Sequence, residues 1–336
     1  MACNQAGLVY NGEALYRDLM PMRRITDLEK WTAVAEVVLP IFAAVFLGMY
    51  ARRKNLMTAQ QNQGLQQFVM KFGLPCVLFN STLTASIGAE ALVSMAVLLP
   101  LMLFSTFWSF HARKKQYPYH NLPMMFSAQE SGMLGIPLYM TLFGAVQAYR
   151  MGVLDMVQQL TAIPTIAILA ASAGVNPTPR EIAGKVVRSP FLLMSLGGLV
   201  LNLSGAAAVL DSVGMLSVIT SVTGFLAQPV SAVMLFSVGF NFAISEGNKD
   251  TICRISLVHL ALFALSGLAM QAILLLVPGV EAETRWAILM YTTLPASYLS
   301  SSLGRTEDEA SMAAGVCSLL TVVSLAVFCV AAFFVA

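Results

Sequence analysis

Charged residues fall at intervals along an otherwise apolar chain. In the second half they leave five stretches, 189–210, 212–245, 255–280, 286–304 and 310–336, without any Asp, Glu, Lys or Arg. Each is long enough for the roughly 20 apolar residues that cross a bilayer as a helix. Read the same way, the whole chain predicts ten helical segments, near 32–50, 64–84, 91–110, 122–145, 152–174, 190–209, 219–243, 255–278, 285–303 and 310–335. The connections are short and none is long enough for a soluble domain. The expected fold class is an all-α polytopic membrane protein.

Prolines inside the segments suggest a repeat. Pro40, Pro75 and Pro137 fall in segments 1, 2 and 4, and Pro190, Pro229 and Pro295 in segments 6, 7 and 9. The intervals are 35 and 62 residues, then 39 and 66, and a glycine follows the first proline of each set by eight residues (Gly48, Gly198). Two five-helix halves are implied. Five is odd, so the second half enters the membrane from the opposite side and the repeat is inverted. The expected organisation is an N-terminal tail over 1–31, a first repeat over 32–175, a short cytoplasmic loop over 176–189 and a second repeat over 190–336. Inverted repeats with proline-interrupted helices in matching positions are a feature of secondary transporters, where the paired breaks expose backbone groups to a substrate near the midplane. Segments 4 and 9 are the expected broken pair, at Gly135-Ile136-Pro137 and at Pro295. The alternative is a pair of proline kinks whose freed groups are bonded by neighbouring serines and helices.

Composition and charge narrow the classes. Hydrophobic residues make up 57% of the chain and charged residues 11%, against about 25% charged in an ordinary soluble domain. The net charge of +2 is spread over loops and argues against a nucleic-acid partner. The cysteines (3, 76, 253, 317, 329) have no CxxC spacing, and the three histidines (111, 120, 259) form no HExxH, so no catalytic, metal or cofactor site is expected. Loops after the odd-numbered segments hold twelve Lys and Arg, and the opposite loops hold two, Arg150 and Arg285. That asymmetry puts the odd loops in the cytoplasm and both termini outside, in a plasma or bacterial inner membrane. The tail carries four bases and four acids over its first 30 residues, with no apolar core of a signal peptide. It reads as an interfacial amphipathic segment or a disordered tail.

Five stretches carry a family resemblance: "FVMKFGLPCVLFNS" (68–81), "SGMLGIPLYMTLFG" (131–144), "VVRSPFLLMSLGGLVLNLSG" (186–205), "QPVSAVMLFSVGF" (228–240) and "ASMAAGVCSLLTVVSLAVF" (310–328). Together they resemble the auxin efflux carrier family, which includes the PIN-formed auxin exporters of plants and bacterial carriers assigned to malate or malonate. The resemblance runs from about residue 33 to the C-terminus. It implies ten helices in two inverted repeats, helices 4 and 9 crossing at their breaks, elevator-like movement of a transport domain against a scaffold, and a homodimer. The long central loop of the plant exporters is absent, so a short-loop carrier is the closer match.

The residues expected to hold substrate are Glu130, Ser131, Gly135 and Pro137 at the first break and Pro295, Ser297 and Ser300 at the second. Asn80 and Gln228 flank the matched prolines of segments 2 and 7 and are candidates to reach the crossing. Glu130-Ser131 stands where the family has Asn-Thr, so an amide has become a carboxylate. Burial disfavours its charged form. Glu130 is therefore a candidate proton or sodium site, or a neutral structural group bonded to the break. Lys71 is expected to snorkel or to pair with an anion. Asn202, Asn241 and Gln271 are readable as interhelical hydrogen bonds, and Asp155, Gln158 and Gln159 as solvated at the outer face. The sequence points to a secondary carrier for a small organic acid, coupled to H+ or Na+. The alternatives are a sodium-coupled carrier of the bile-acid type and a membrane sensor binding a lipid or sterol without moving it.

Overall fold

A computed structural model describes residues 27–85, 88–172, 188–242 and 249–335, with 174, 178, 180, 181 and 184. Residues 1–26 of the tail expected over 1–31 and most of the central loop lie outside the described residues. The described chain is helical: α1 Asp27–Arg53, α2 Ala59–Phe68, α3 Leu74–Leu83, α4 Ala89–Lys115, α5 Leu122–Ser127, α6 Ile136–Phe143, α7 Ala148–Ser172, α8 Pro190–Leu203, α9 Ala206–Ser212, α10 Met215–Ala227, α11 Val230–Asn241, α12 Lys249–Leu274, α13 Ala282–Thr292, α14 Leu299–Ser302 and α15 Glu307–Val335. Among the described residues there is no strand, only one isolated antiparallel bridge between Gln129 and Ala296.

Among the described residues, six helices are long and apolar enough to cross a membrane: Trp31–Arg53, Ala89–Lys115, Ala145–Ser172, Met215–Asn241, Lys249–Leu274 and Glu307–Val335. A seventh span is formed if α8 and α9, bent by 79°, count as one. The other expected segments are interrupted, each for a local reason. At Gly205, in the left-handed region with φ 73°, the chain turns sharply between α8 and α9. Between α2 and α3 lies a π turn, Val69–Gly73, and between the break after α5 and α6 another, Ser131–Gly135. Both π turns end on Gly-x-Pro, Gly73-Leu74-Pro75 and Gly135-Ile136-Pro137, with the proline in the first turn of the helix that follows. A proline ring clashes with the carbonyl four residues back, and a π turn displaces that carbonyl. The expected break at Gly135-Ile136-Pro137 is therefore absent. Helix resumes there, and the true interruption lies at Ala128–Glu130, where Ala128 is extended at φ −149°, ψ 137°. Prolines also sit inside α4 (Pro100) and α7 (Pro164), so helix-interior prolines are not confined to the matched set.

Packing is densest within two groups of helices, which are joined by α6, packed on both α11 and α7, and by contacts of α1 with α15 and of α3 with α7. α1 lies along α11 and α3 along α8, with α10 against α3. These contacts are backbone-close: a Cβ on Gly48 would lie 1.9 Å from the Phe236 carbonyl oxygen, one on Gly239 1.9 Å from that of Val45, and one on Gly198 2.4 Å from that of Phe79. Only glycine allows helices so near, the small-residue packing expected in lipid. The second group joins α4, α5, α7, α12, α13, α14 and α15.

Polar side chains tie helices together as expected for interhelical bonds. Asn202 Nδ2 donates to the carbonyls of Thr82 (3.0 Å) and Ala85 (2.8 Å), Asn62 Nδ2 to Asn241 Oδ1 (3.2 Å), and Gln271 Nε2 to the Arg285 carbonyl (2.7 Å). Arg150 is a correction to the reading of loop charge. It is buried, donating to Glu90 Oε1 at 2.7 Å and also to Thr284 and Glu281, while Glu90 Oε2 accepts from Glu281 N at 3.1 Å. This ion cluster joins the first turns of α4, α7 and α13.

Candidate functional site: a backbone crossing at the end of a cleft

Two extended stretches meet in the second group, 128–130 after α5 and 295–297 after α13. Glu130 N donates to the Pro295 carbonyl (2.8 Å) and Ser297 N to the Ala128 carbonyl (3.1 Å), the hydrogen bonds of an antiparallel pair around Gln129 and Ala296. Each stretch thus satisfies polar groups the other has freed, which hydrocarbon cannot do. Proline suits position 295, because it has no N–H to leave unpaired and its carbonyl is the group in use.

The remaining backbone groups are met by one face of α7. Asp155, Gln158 and Thr161 are three residues apart and share that face. Gln158 is the hub: its Nε2 donates to the Gln129 carbonyl (3.2 Å), Ser131 Oγ (2.9 Å) and Asp155 Oδ1 (2.6 Å). Its Oε1 accepts from Gln129 N (2.8 Å) and the Tyr291 hydroxyl (2.8 Å). Thr161 Oγ1 donates to the Ser127 carbonyl (2.8 Å), Ser131 Oγ to Asp155 Oδ1, and Gln159 Nε2 to Asp155 Oδ2 (3.2 Å). The expectation of a solvated, outer-face position for Asp155 and Gln158 is overturned: both are 4% exposed and bonded to the crossing.

Glu130 belongs to the same site. It is buried, its Oε2 accepts from Tyr298 N at 2.7 Å, and Ser297 Oγ and Met133 N also donate to it. Two acids, Glu130 and Asp155, therefore share the crossing and interact electrostatically. Among the described residues neither is paired with a Lys, Arg or His.

A cleft of about 1760 Å³ ends at this crossing. At its wall lie Gln129, Glu130, Ser131, Met133, Ser297 and Tyr298, with Asp155, Gln158 and Gln159 beside them. The facing side is the polar face of α2, with Gln60, Gln63, Gln66 and Gln67, continued by Lys71. Lys71 is exposed and makes no ion pair among the described residues. The cleft reaches Arg52, Asn55 and Ser189, at the end of the molecule opposite the Glu90–Arg150 cluster.

The expected site residues separate into three sets. Glu130, Ser131 and Ser297 line the cleft, and Pro295 supplies the paired carbonyl. Gly135 and Pro137 are buried in packing beyond it, where a Cβ on Gly135 would lie 2.6 Å from Leu294 Cδ1. Ser300 turns away from the cleft toward Cys317, 3.7 Å between Oγ and Sγ. Asn80 and Gln228 do not reach the crossing: Asn80 Oδ1 accepts from Thr223 Oγ1 (2.6 Å) between α3 and α10, and Gln228 is exposed. Sequence reasoning missed Gln129, Asp155, Gln158 and the Tyr298 amide. The signal was present for α7, whose Asp-x-x-Gln-Gln puts three polar groups on one face of an apolar helix.

Residues 33–174 match a family model described as membrane transport protein. The match covers 142 of the 336 residues, and over that segment the chain is similar to membrane transport proteins. The matched segment contains α7 and both π turns, along with the first of the two crossing stretches. No curated protein matches the chain.

Proposed function

We propose that this protein is a secondary carrier that moves a small organic acid across a membrane by alternating access, binding it at the crossing of the two extended stretches. The observation that carries this reading is that the paired stretches 128–130 and 295–297 end a cleft open toward one face, while the buried Arg150–Glu90 ion pair lies at the other. A crossing of this kind sets backbone N–H groups and carbonyls beside a substrate in the middle of a bilayer.

The packing fits ten segments in two inverted halves. Under an offset of five segments α1 corresponds to α8, and α3 to α11. The pairing of α1 with α11 then exchanges with that of α8 with α3, and these are the two most extensive helix contacts. The division into two groups fits an elevator, with α1–α3 and α8–α11 as scaffold and the rest as the moving part. Loop charge supports a cytoplasmic cleft. The two uncompensated acids favour one alternative, a sodium-coupled carrier in which Glu130 and Asp155 hold the ion.

Counterflow in proteoliposomes tests the reading. Vesicles loaded with an unlabelled organic acid are expected to accumulate the labelled acid transiently, and wild-type vesicles without that preload are not. Binding without counterflow would mean a sensor. Replacing sodium by choline without effect would remove the sodium alternative.

A further inference from the structure

Three donors converge on one place at the crossing. The amides of Tyr298 and Met133 and the Ser297 hydroxyl all point there, and the Glu130 carboxylate fills it. Ser297 and Tyr298 belong to one crossing stretch and its continuation, and Met133 to the π turn that follows the other. An ionised carboxylate is acceptor-only, so three convergent donors suit it. Glu130, Met133, Ser297 and Tyr298 all line the cleft, so a soluble carboxylate entering it reaches the same donors.

Resting on the organic-acid reading above, we propose that Glu130 is a tethered occupant of the substrate's carboxylate seat: the substrate carboxylate takes these donors only when Glu130 has bound a proton and left them. The step balances in charge. One proton from the cleft converts Glu130 to a neutral carboxyl, one substrate carboxylate replaces its charge on the three donors, and the site as a whole gains none. Asp155 makes the exchange necessary. Bonded by Ser131, Gln158 and Gln159, it lies beside the seat, so an unprotonated Glu130 with a bound substrate would place two negative groups next to a second acid in one buried site. The other titratable groups facing this place are Tyr291, whose hydroxyl bonds Gln158, and Tyr298 and Cys317, which interact with Glu130; Lys71 lies across the cleft. The consequence is symport of one proton with each carboxylate seated, electroneutral for a monocarboxylate. The glutamate also selects, because a neutral ligand cannot displace it.

The test is equilibrium binding by calorimetry between pH 6.5 and 8.5, with malonate and indole-3-acetate as probes, in buffers of different ionisation heat that count protons taken up. The wild type is expected to bind with uptake of about one proton and an affinity rising up to about tenfold for each unit of pH lowered. Glu130→Gln is expected to bind at least as tightly at high pH, with no proton uptake and no slope. Binding by the wild type without proton uptake overturns the inference and leaves the carrier reading standing, and that arm needs no variant to fold. Failure of both probes to bind either protein overturns the organic-acid reading and the inference together.

Discussion

At the scale of single residues, Gln158 and Gly239 hold positions that no other side chain fills. Gln158→Leu leaves Gln129 N, the Gln129 carbonyl and the Tyr291 hydroxyl without a partner, at about 1–3 kcal/mol for each buried group. The expected result is a melting temperature lowered by several degrees in detergent and loss of transport. Gln159→Leu removes one bond of 3.2 Å from a half-buried side chain and should cost far less. Equal losses in the two variants would mean that Gln158 is not the hub. Gly239→Ala drives a methyl group into the Val45 carbonyl, where overpacking typically costs about 1–3 kcal/mol. Gly224→Ala, with nothing within 4 Å of the added carbon, should be neutral or slightly stabilising, since alanine is the better helix former. Thermal melts of the two variants in parallel separate close approach from helix propensity.

At the scale of elements, the position of the break decides what the prolines do. Because helix resumes through the π turn before Pro137, Pro137→Ala should leave Ala128–Glu130 extended and keep transport, with only a small change in stability. Loss of transport in that variant, with its fold intact, would return the break to the proline. The all-helical, membrane-spanning character of the chain and the rough bounds of its long apolar helices were legible, because charge-free runs of this length have few other uses. The site was legible only where it broke a local rule: Glu130, Ser131, Pro295 and Ser297 disrupt an apolar helix and could be singled out. Asp155 and Gln158 obey the rule for a helix end near water, and only the bend of the neighbouring chain turns that end inward. Nor can spacing distinguish a proline that breaks a helix from one that starts the next. At the end of the molecule opposite the ion cluster, the connection between α4 and α5 carries a switchable group. His120 is buried there, its Nδ1 2.9 Å from the Arg113 guanidinium and its N–H 2.8 Å from Glu309 Oε1. Burial first, and then the charges of Arg113 and Arg305, hold its pKa below the ordinary value. The fold thus prefers the neutral ring, so its contribution is present above the unfolded value of about 6.5 and is lost as pH falls below it. The melting temperature should drop between pH 7 and 5.5 in the wild type and drop less in His120→Gln. Matching profiles would remove His120 from the account.

At the scale of the whole molecule, the two ends differ: an ion cluster closes one, and the cleft opens toward the other. Arg150→Met would leave Glu90 buried beside Thr284 without its cation, a change that typically costs about 3–5 kcal/mol. Adding Glu90→Gln should recover part of the loss, and no recovery would mean that the charges do not act as a pair. Single cysteines at Gln63 and Gln67 should react with a membrane-impermeant thiol reagent from the side that also labels Lys114→Cys, and a cysteine at Glu283 from the other. Labelling of all from one side would sink the alternating-access arrangement. The crossing itself bears on how the chain is made. The bond from Tyr298 to Glu130 spans 168 residues, so at ordinary rates of synthesis the first stretch waits roughly 10–30 s in or near the bilayer for its partner. Throughout that interval the freed groups at Ala128–Glu130 have only the face of α7 to meet them. The first half should therefore be a target for chaperones and membrane proteases when it is expressed alone, and its lifetime should be restored by the second half supplied as a separate chain.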